Sequence, residues 1–258
     1  MNTRYVRFTH PERGQAAYGR VTPQGRVHVL SAAAWAGGGE TGEVLALEGL
    51  ALLVPSDASK VVCVGQNYLK HAQEMGKPVP VEPLIFLKPS TALNPVGQPI
   101  RLPRVSEEVH YEAELALVIG ERVSGADEAQ AARAIWGLTC FNDVTARDLQ
   151  RKDVQYTRAK GFDTFACAGP WMVEGLSAAD LAVRCRVNGQ PRQDGRTSDL
   201  IFGPAQLVSF ISRVMTLEPG DLVSTGTPSG VGRLEAGDTV EVEVEGIGTL
   251  VNPVEREP

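Results

Sequence analysis

The segment His110-Tyr111-Glu112-Ala113-Glu114-Leu115-Ala116-Leu117-Val118-Ile119-Gly120 constrains the fold of this chain more than any other. Apolar and β-forming residues run through it and a glycine ends it, which predicts a strand. The run 115–119 contains no polar position, so that strand must be covered on both faces. Side chains alternate along a strand, which puts Glu112 and Glu114 on the same side. Two carboxylates about 7 Å apart on an apolar strand repel each other unless something cationic lies between them. A second apolar run, 135–141, ends in Asn142-Asp143 and brings a third carboxylate to a strand end. Glu112, Glu114 and Asp143 together can form an all-oxygen site for a hard cation such as Mg²⁺, Mn²⁺ or Ca²⁺; zinc prefers nitrogen and sulfur. The competing reading is a solvated strand face, the commoner fate of an isolated Glu-x-Glu. Glu241, Glu243 and Glu245 alternate in the same way and are read as exposed.

Strand signals dominate from Lys60 onward, over 61–64, 84–87, 111–119, 136–141, 182–187, 222–225, 239–244 and 249–251. Asn188-Gly189 is a strong hairpin signal. Helical patterns are fewer: 67–75, 126–135, 145–152 and 205–215, the last with apolar residues at 207, 208, 211, 214 and 215. Strands that outnumber helices without alternating with them predict an α+β, mainly β fold, not a doubly wound sheet. Residues 1–56 read as a small N-terminal β unit, with a strand over 4–8 and a hairpin (18–21, 26–30) around Thr22-Pro23-Gln24-Gly25.

The 258 residues carry a net charge of −6 with no Lys/Arg block, so neither nucleic acid nor an anionic membrane surface is expected as a partner. No uncharged apolar run approaches the ~20 residues of a membrane span, and residues 1–14 lack the pattern of a signal peptide. Cys63, Cys140, Cys167 and Cys185 are widely spaced with no CxxC pair, which predicts reduced, buried thiols in a cytoplasmic protein.

Other groups are candidates for the chemistry. His71 and Glu74 stand three apart and share a face if helical; an imidazole held by a carboxylate can activate water. An ordinary surface pair fits the same spacing. Lys160 and Arg147 could hold a substrate oxyanion or equally be surface charge. The glycine-rich stretch 226–232 is no P-loop, but its backbone N–H groups could cradle an anion.

Six ordered motifs carry a resemblance. They are Gly65-Gln66-Asn67-Tyr68, Phe86-Leu87-Lys88-Pro89-Ser90, His110-Tyr111-Glu112-Ala113-Glu114-Leu115, Asn142-Asp143-Val144-Thr145-Ala146-Arg147-Asp148, Ala159-Lys160 and Thr225-Gly226-Thr227-Pro228-Ser229-Gly230-Val231-Gly232. Together they resemble the fumarylacetoacetate hydrolase superfamily, in particular its short bacterial branch of acylpyruvate hydrolases, oxaloacetate decarboxylases and 2-hydroxydienedioate isomerases. The resemblance implies a mixed β-roll over residues 57–258 and a homodimer. It also implies Mg²⁺ (or Mn²⁺ or Ca²⁺) on Glu112, Glu114 and Asp143, catalytic roles for Lys160, His71 and Glu74, and substrate contacts from Arg147, Gln150 and Thr227. The implied substrate is a 2-oxo carboxylate that passes through an enolate in hydrolysis, decarboxylation or isomerisation. The namesake hydrolase has a much longer N-terminal domain than the residues before Lys60 could form, so hydrolysis of fumarylacetoacetate itself is not expected.

Overall fold

The computed structural model describes residues 2–74 and 78–258, without the side chains of His71 and Ala72. Four antiparallel strands open the chain: β1 (Thr3–Thr9), β2 (Ala16–Val21), β3 (Arg26–Leu30) and β4 (Glu40–Ala46). Helix α1 (Leu69–Glu74) lies between β5 (Lys60–Gly65) and β6 (Leu84–Pro89). Then come β7 (Leu93–Asn94), β8 (Ile100–Leu102), β9 (Val109–Tyr111), β10 (Ala113–Ile119) and α2 (Glu128–Ala134). They are followed by β11 (Ile135–Asp143), β12 (Thr145–Ala146), α3 (Arg147–Lys152), α4 (Thr157–Lys160) and β13 (Ala166–Glu174). The hairpin β14 (Ala182–Val187)–β15 (Gln190–Arg196) precedes α5 (Pro204–Val214). The last strands are β16 (Leu222–Ser224), β17 (Gly232–Arg233), β18 (Thr239–Val244) and β19 (Gly248–Arg256).

These strands make a mainly β, mixed fold of three sheets among the described residues. The largest runs β4-β3-β2-β1-β13-β11-β10-β16-β5-β6, with β7 also on β13. A five-stranded sheet, β15-β14-β18-β19-β8, lies on one side of β10, and a small sheet β12-β9-β17 stands at its start. Every residue of β10 is buried. Leu115, Leu117 and Ile119 join one core with Val183, Val242 and Leu207, whereas Ala116 and Val118 join a second with Val61, Phe141 and Met172. The pattern of 115–119 is explained by apolar cover on both faces, worth about 1.5–3 kcal/mol for each large side chain removed from water.

Several expectations need amendment. The segment 110–120 is not one continuous strand: β9 ends at Tyr111 and β10 begins at Ala113, so Glu112 occupies the point where the chain leaves the small sheet for the large one. The N-terminal strands extend the main sheet, because β1 pairs antiparallel with β13 (Arg4 opposite Val173). Strand β13 carries no strand signal in the sequence, since Gly169 and Pro170 interrupt it; the pairing with β11 shifts register at that place, which accommodates the proline. On α5 the stripe holds at Leu207, Val208 and Ile211, but Val214 is 58% exposed. Glu243 is held by Arg186 at 2.8 Å and Arg184 at 3.3 Å across the strands, an ordinary half-buried ion pair.

The four cysteines are free and buried, and burial pushes Cys140, Cys167 and Cys185 up to about 12, so none is a thiolate near neutral pH. Among the described residues, no helix is long and apolar enough to cross a membrane.

Candidate metal centre and active-site cleft

The break at Glu112 is closed by the neighbouring strand end. The Glu112 N–H donates to Asn142 Oδ1 (2.9 Å), and the Asp143 N–H donates to the Glu112 carbonyl (2.9 Å). This exchange brings the end of β11 against the start of β10, and Glu112, Glu114 and Asp143 converge, each buried, with one oxygen apiece within 4.8 Å of the others.

Glu114 is 1% exposed and accepts from the Ser224 hydroxyl and from Gly226 N–H (2.8 Å). Burial, then the charges of Asp143 and Glu112, push its carboxyl well above the usual carboxylate range, against the pull of Ser224 and Lys160. The glycine-rich loop therefore does meet an anion, but an internal one. Gly226 itself is required there: its φ is +99°, and a Cβ would stand 2.8 Å from that of Asn67.

Three cations surround the three acids. Lys160, at the end of α4, donates to Asp143 Oδ2 (2.6 Å) and Glu112 Oε2 (2.9 Å). Burial alone would lower its pKa, but Asp143 and Glu112 outweigh burial and hold the ammonium above its ordinary value. Arg147, the first residue of α3, pairs with Glu112 and donates through Nη1 to Gln150 Oε1 (2.8 Å). Lys88 is fully buried on β6. Its ammonium donates to the carbonyls of Lys160 (2.7 Å), Phe165 (2.8 Å) and Val144 (2.9 Å), and lies 2.7 Å from Asp143 Oδ1. An ammonium has three protons. With all three directed at carbonyls, Asp143 Oδ1 is left buried with no hydrogen bond.

That oxygen, which accepts no hydrogen bond and has only the charge of Lys88 beside it, in a cluster of three hard oxygen donors, fits a divalent cation of the Mg²⁺ or Mn²⁺ kind. Glu112, Glu114 and Asp143 would hold it.

The acids form the floor of a cleft. Val64, Gln66, Leu84, Phe86 and Tyr156 also line it, together with Lys160, Gln150 and Thr227. Lys160 Nζ lies 4.8 Å from the centre of the Phe86 ring, and Phe86 packs edge-on against Tyr156. Thr227 reaches the cleft, but its hydroxyl donates to Ala113 O (2.9 Å) and accepts from Gln193 Nε2 (2.7 Å). Helix α1 places Glu74 on the loop above, where Gly230 N–H donates to its carboxylate (3.2 Å). The side chain of His71 lies outside the described residues.

Sequence reasoning thus located the acids, Lys160, Arg147 and Gln150, and the structure brings these together. It gave no role to Lys88, Ser224, Asn142 or Gln193. Lys88 lies within one of the quoted motifs, but a single lysine reads as surface by default.

Comparison with known proteins agrees with this geometry. The description "Fumarylacetoacetate (FAA) hydrolase C-terminal" matches residues 60–255. The chain belongs to the fumarylacetoacetate hydrolase family. Residues 3–55 match "Rv2993c-like, N-terminal". Protein Rv2993c of Mycobacterium tuberculosis is 52% identical over 219 residues, 84% of this chain and 83% of that protein. The crystal structure of 2-hydroxyhepta-2,4-diene-1,7-dioate isomerase from Mycobacterium marinum superposes with a TM-score of 0.92 at 44% identity, over 99% of each chain. Fumarylpyruvate hydrolase from Pseudomonas aeruginosa, solved with Mn²⁺ and pyruvate, has a TM-score of 0.75 at 33% identity, over 84% of this chain and 94% of that one. Members of the family are enzymes, and divalent-metal use in the family accords with the acidic triad found here.

Proposed function

We propose that this chain is a divalent-metal-dependent enzyme, with Mg²⁺ as its cation, that acts on 2-oxo carboxylates through an enolate and hydrolyses the carbon–carbon bond of acylpyruvates. The observation that carries this reading is the buried triad, one oxygen of which accepts no hydrogen bond, at the floor of a cleft and flanked by protonated Lys160. A cation bound there would supply Lewis acidity, stabilising the negative charge that develops on the substrate's C2 oxygen.

The chain's own residues do the rest. Lys160 supplies a fixed positive charge for the substrate's carboxylate or enolate oxygen, with little reorganisation because two carboxylates already orient it. Gln150 borders the same floor and steadies the oxygens of the substrate, and Arg147, paired with Glu112, donates to Gln150 and orients it. Leu84 and Phe86 keep water off the outer part of the bound molecule. His71, three residues before Glu74 on α1, is the group that removes a proton from the water attacking the distal carbonyl in this reading. Cleavage then releases an acid and the enolate of pyruvate.

A second reading, isomerisation of a 2-hydroxydienedioate, draws support from the full-length likeness to the M. marinum isomerase. It needs only proton transfer at the same floor. Decarboxylation of an oxaloacetate-like acid reaches the same enolate without water. The test is a turnover panel with Mg²⁺, using acetylpyruvate, fumarylpyruvate, oxaloacetate and a 2-hydroxydienedioate, repeated with EDTA and with Glu114→Ala. Pyruvate released from an acylpyruvate, lost with EDTA and in the variant, is the expected result. EDTA-sensitive isomerisation without cleavage would establish the second reading, and no EDTA-sensitive turnover would remove both.

A further inference from the structure

Gln66 is the outlier of the cleft. It follows β5 with φ of +57°, the left-handed region that glycine occupies at far lower cost. The other non-glycine residues with positive φ among the described residues are Thr164 and Asn188. Both have local explanations: Thr164 Oγ1 accepts from Arg101 N–H (2.9 Å), and Asn188 forms a hairpin turn. Gln66 has neither. Its side chain makes no hydrogen bond within the described residues, and it lines the cleft.

The conformation is imposed by the next residue. Asn67 Nδ2 donates to Thr225 O (2.8 Å) and Phe202 O (3.0 Å), its Oδ1 accepts from Phe202 N–H (2.8 Å), and its carbonyl accepts from Ile201 N–H (2.8 Å). Two segments, 201–202 and the one at Thr225, thus clamp Asn67, and Gln66 is held left-handed at the cleft wall. Strain kept at a site, where glycine would relieve it, points to a use for the side chain.

The rest of that wall narrows what the use can be. Val64, Leu84 and Phe86 are apolar, and Tyr156 adds an uncharged hydroxyl. Among the described lining residues the only cation is Lys160, already shared between Glu112 and Asp143. A carboxylate placed against these side chains would lose its hydration and find no unpaired cation among them. An uncharged carbonyl would gain an amide donor.

We infer that Gln66 determines substrate specificity by hydrogen-bonding an uncharged oxygen at the end of the substrate remote from the metal floor, so that the preferred substrates are monoanionic 2-oxo acids and not dicarboxylates. The inference rests on the 2-oxo carboxylate reading above.

Calorimetry on the Mg²⁺-loaded protein tests it with three ligands that are not acylpyruvates. Pyruvate offers only the chelating end, 2,5-dioxohexanoate adds a distal ketone, and 2-oxoglutarate puts a carboxylate at that same position. The expected order is 2,5-dioxohexanoate tighter than 2-oxoglutarate by about tenfold or more, the discrimination an uncompensated charge readily produces. Gln66→Leu should weaken 2,5-dioxohexanoate by about two- to tenfold, the range of one neutral hydrogen bond, and leave pyruvate unchanged. Gln66→Arg should reverse the order, which a merely structural role for the side chain would not do. A wild-type preference for 2-oxoglutarate overturns the inference, as does a Gln66→Leu variant that weakens all three ligands equally or none. Failure of pyruvate itself to bind in a Mg²⁺-dependent way would instead remove the underlying functional reading, and this inference with it.

Discussion

Replacing Lys88 by methionine isolates the role of the fully buried cation among the three. The ammonium serves three carbonyls from separate parts of the chain (Val144, Lys160 and Phe165) and lies beside Asp143, in a place with no access to water. Methionine conserves much of the stem's volume, so no large cavity term enters. The loss is electrostatic: three carbonyls and a carboxylate are left without their cation. Breaking a buried pair by removing one partner costs about 3–5 kcal/mol, a range taken to include the carbonyls left unsatisfied. For a chain of this size each kcal/mol lowers Tm by roughly 2–4 °C, so the expected drop is about 6–20 °C. Differential scanning calorimetry of the metal-free protein reads this directly. Lys160→Met supplies the contrast, because Lys160 stands at the open cleft: turnover should collapse with a smaller loss of Tm. If Lys88→Met melted within about 2 °C of wild type, the assignment of Lys88 as the tie beneath the metal floor would be wrong.

Two further outcomes follow from the same geometry. The Glu114 carboxyl, raised by burial and then by Asp143 and Glu112, takes up a proton on folding of the metal-free protein. Metal-free stability should therefore rise as pH falls from the raised value toward the ordinary carboxylate range, while the thermal stabilisation by Mg²⁺, which must displace that proton, should shrink. Thermal shifts with and without Mg²⁺ between about pH 8 and about pH 5.5 check both signs, and a Mg²⁺ effect independent of pH contradicts the account. His71→Ala should lower acylpyruvate hydrolysis by about 10²-fold, the scale of a general base, with Mg²⁺ affinity from titration calorimetry unchanged. Hydrolysis at the wild-type rate would end the water-activation role.

The metal floor was legible because its signals are local. Glu112 and Glu114 are two residues apart, and the run 115–119 has no polar position, which separates this pair from the alternating glutamates of β18. Asp143 was legible as the acid that ends an apolar run. Lys88 was not, because its meaning lies in carbonyls 56 to 77 residues away in sequence. Ser224 and Gly226, which hold Glu114 from more than 100 residues away, belong with it. The break at Glu112 was hidden for a different reason: a chain that passes from one sheet to another keeps its alternation, and only the partners change. Strand β13 was hidden by its own glycine and proline, which read as a turn until a register shift with β11 makes room for them.

The pairing of β1 with β13 has a consequence for how the polypeptide behaves before and during folding. Strand β13 is nine residues long, and seven of them are buried. Strand β7 covers the start of β13 at Ala166 and Cys167, but without β1 the edge at Met172, Val173 and Glu174 would be unpaired, with Glu174 as its one charge. Such a strand is a template for edge-to-edge association. The opening residues, which contribute nothing to the metal floor, thus occupy that boundary and act as a guard in cis against aggregation.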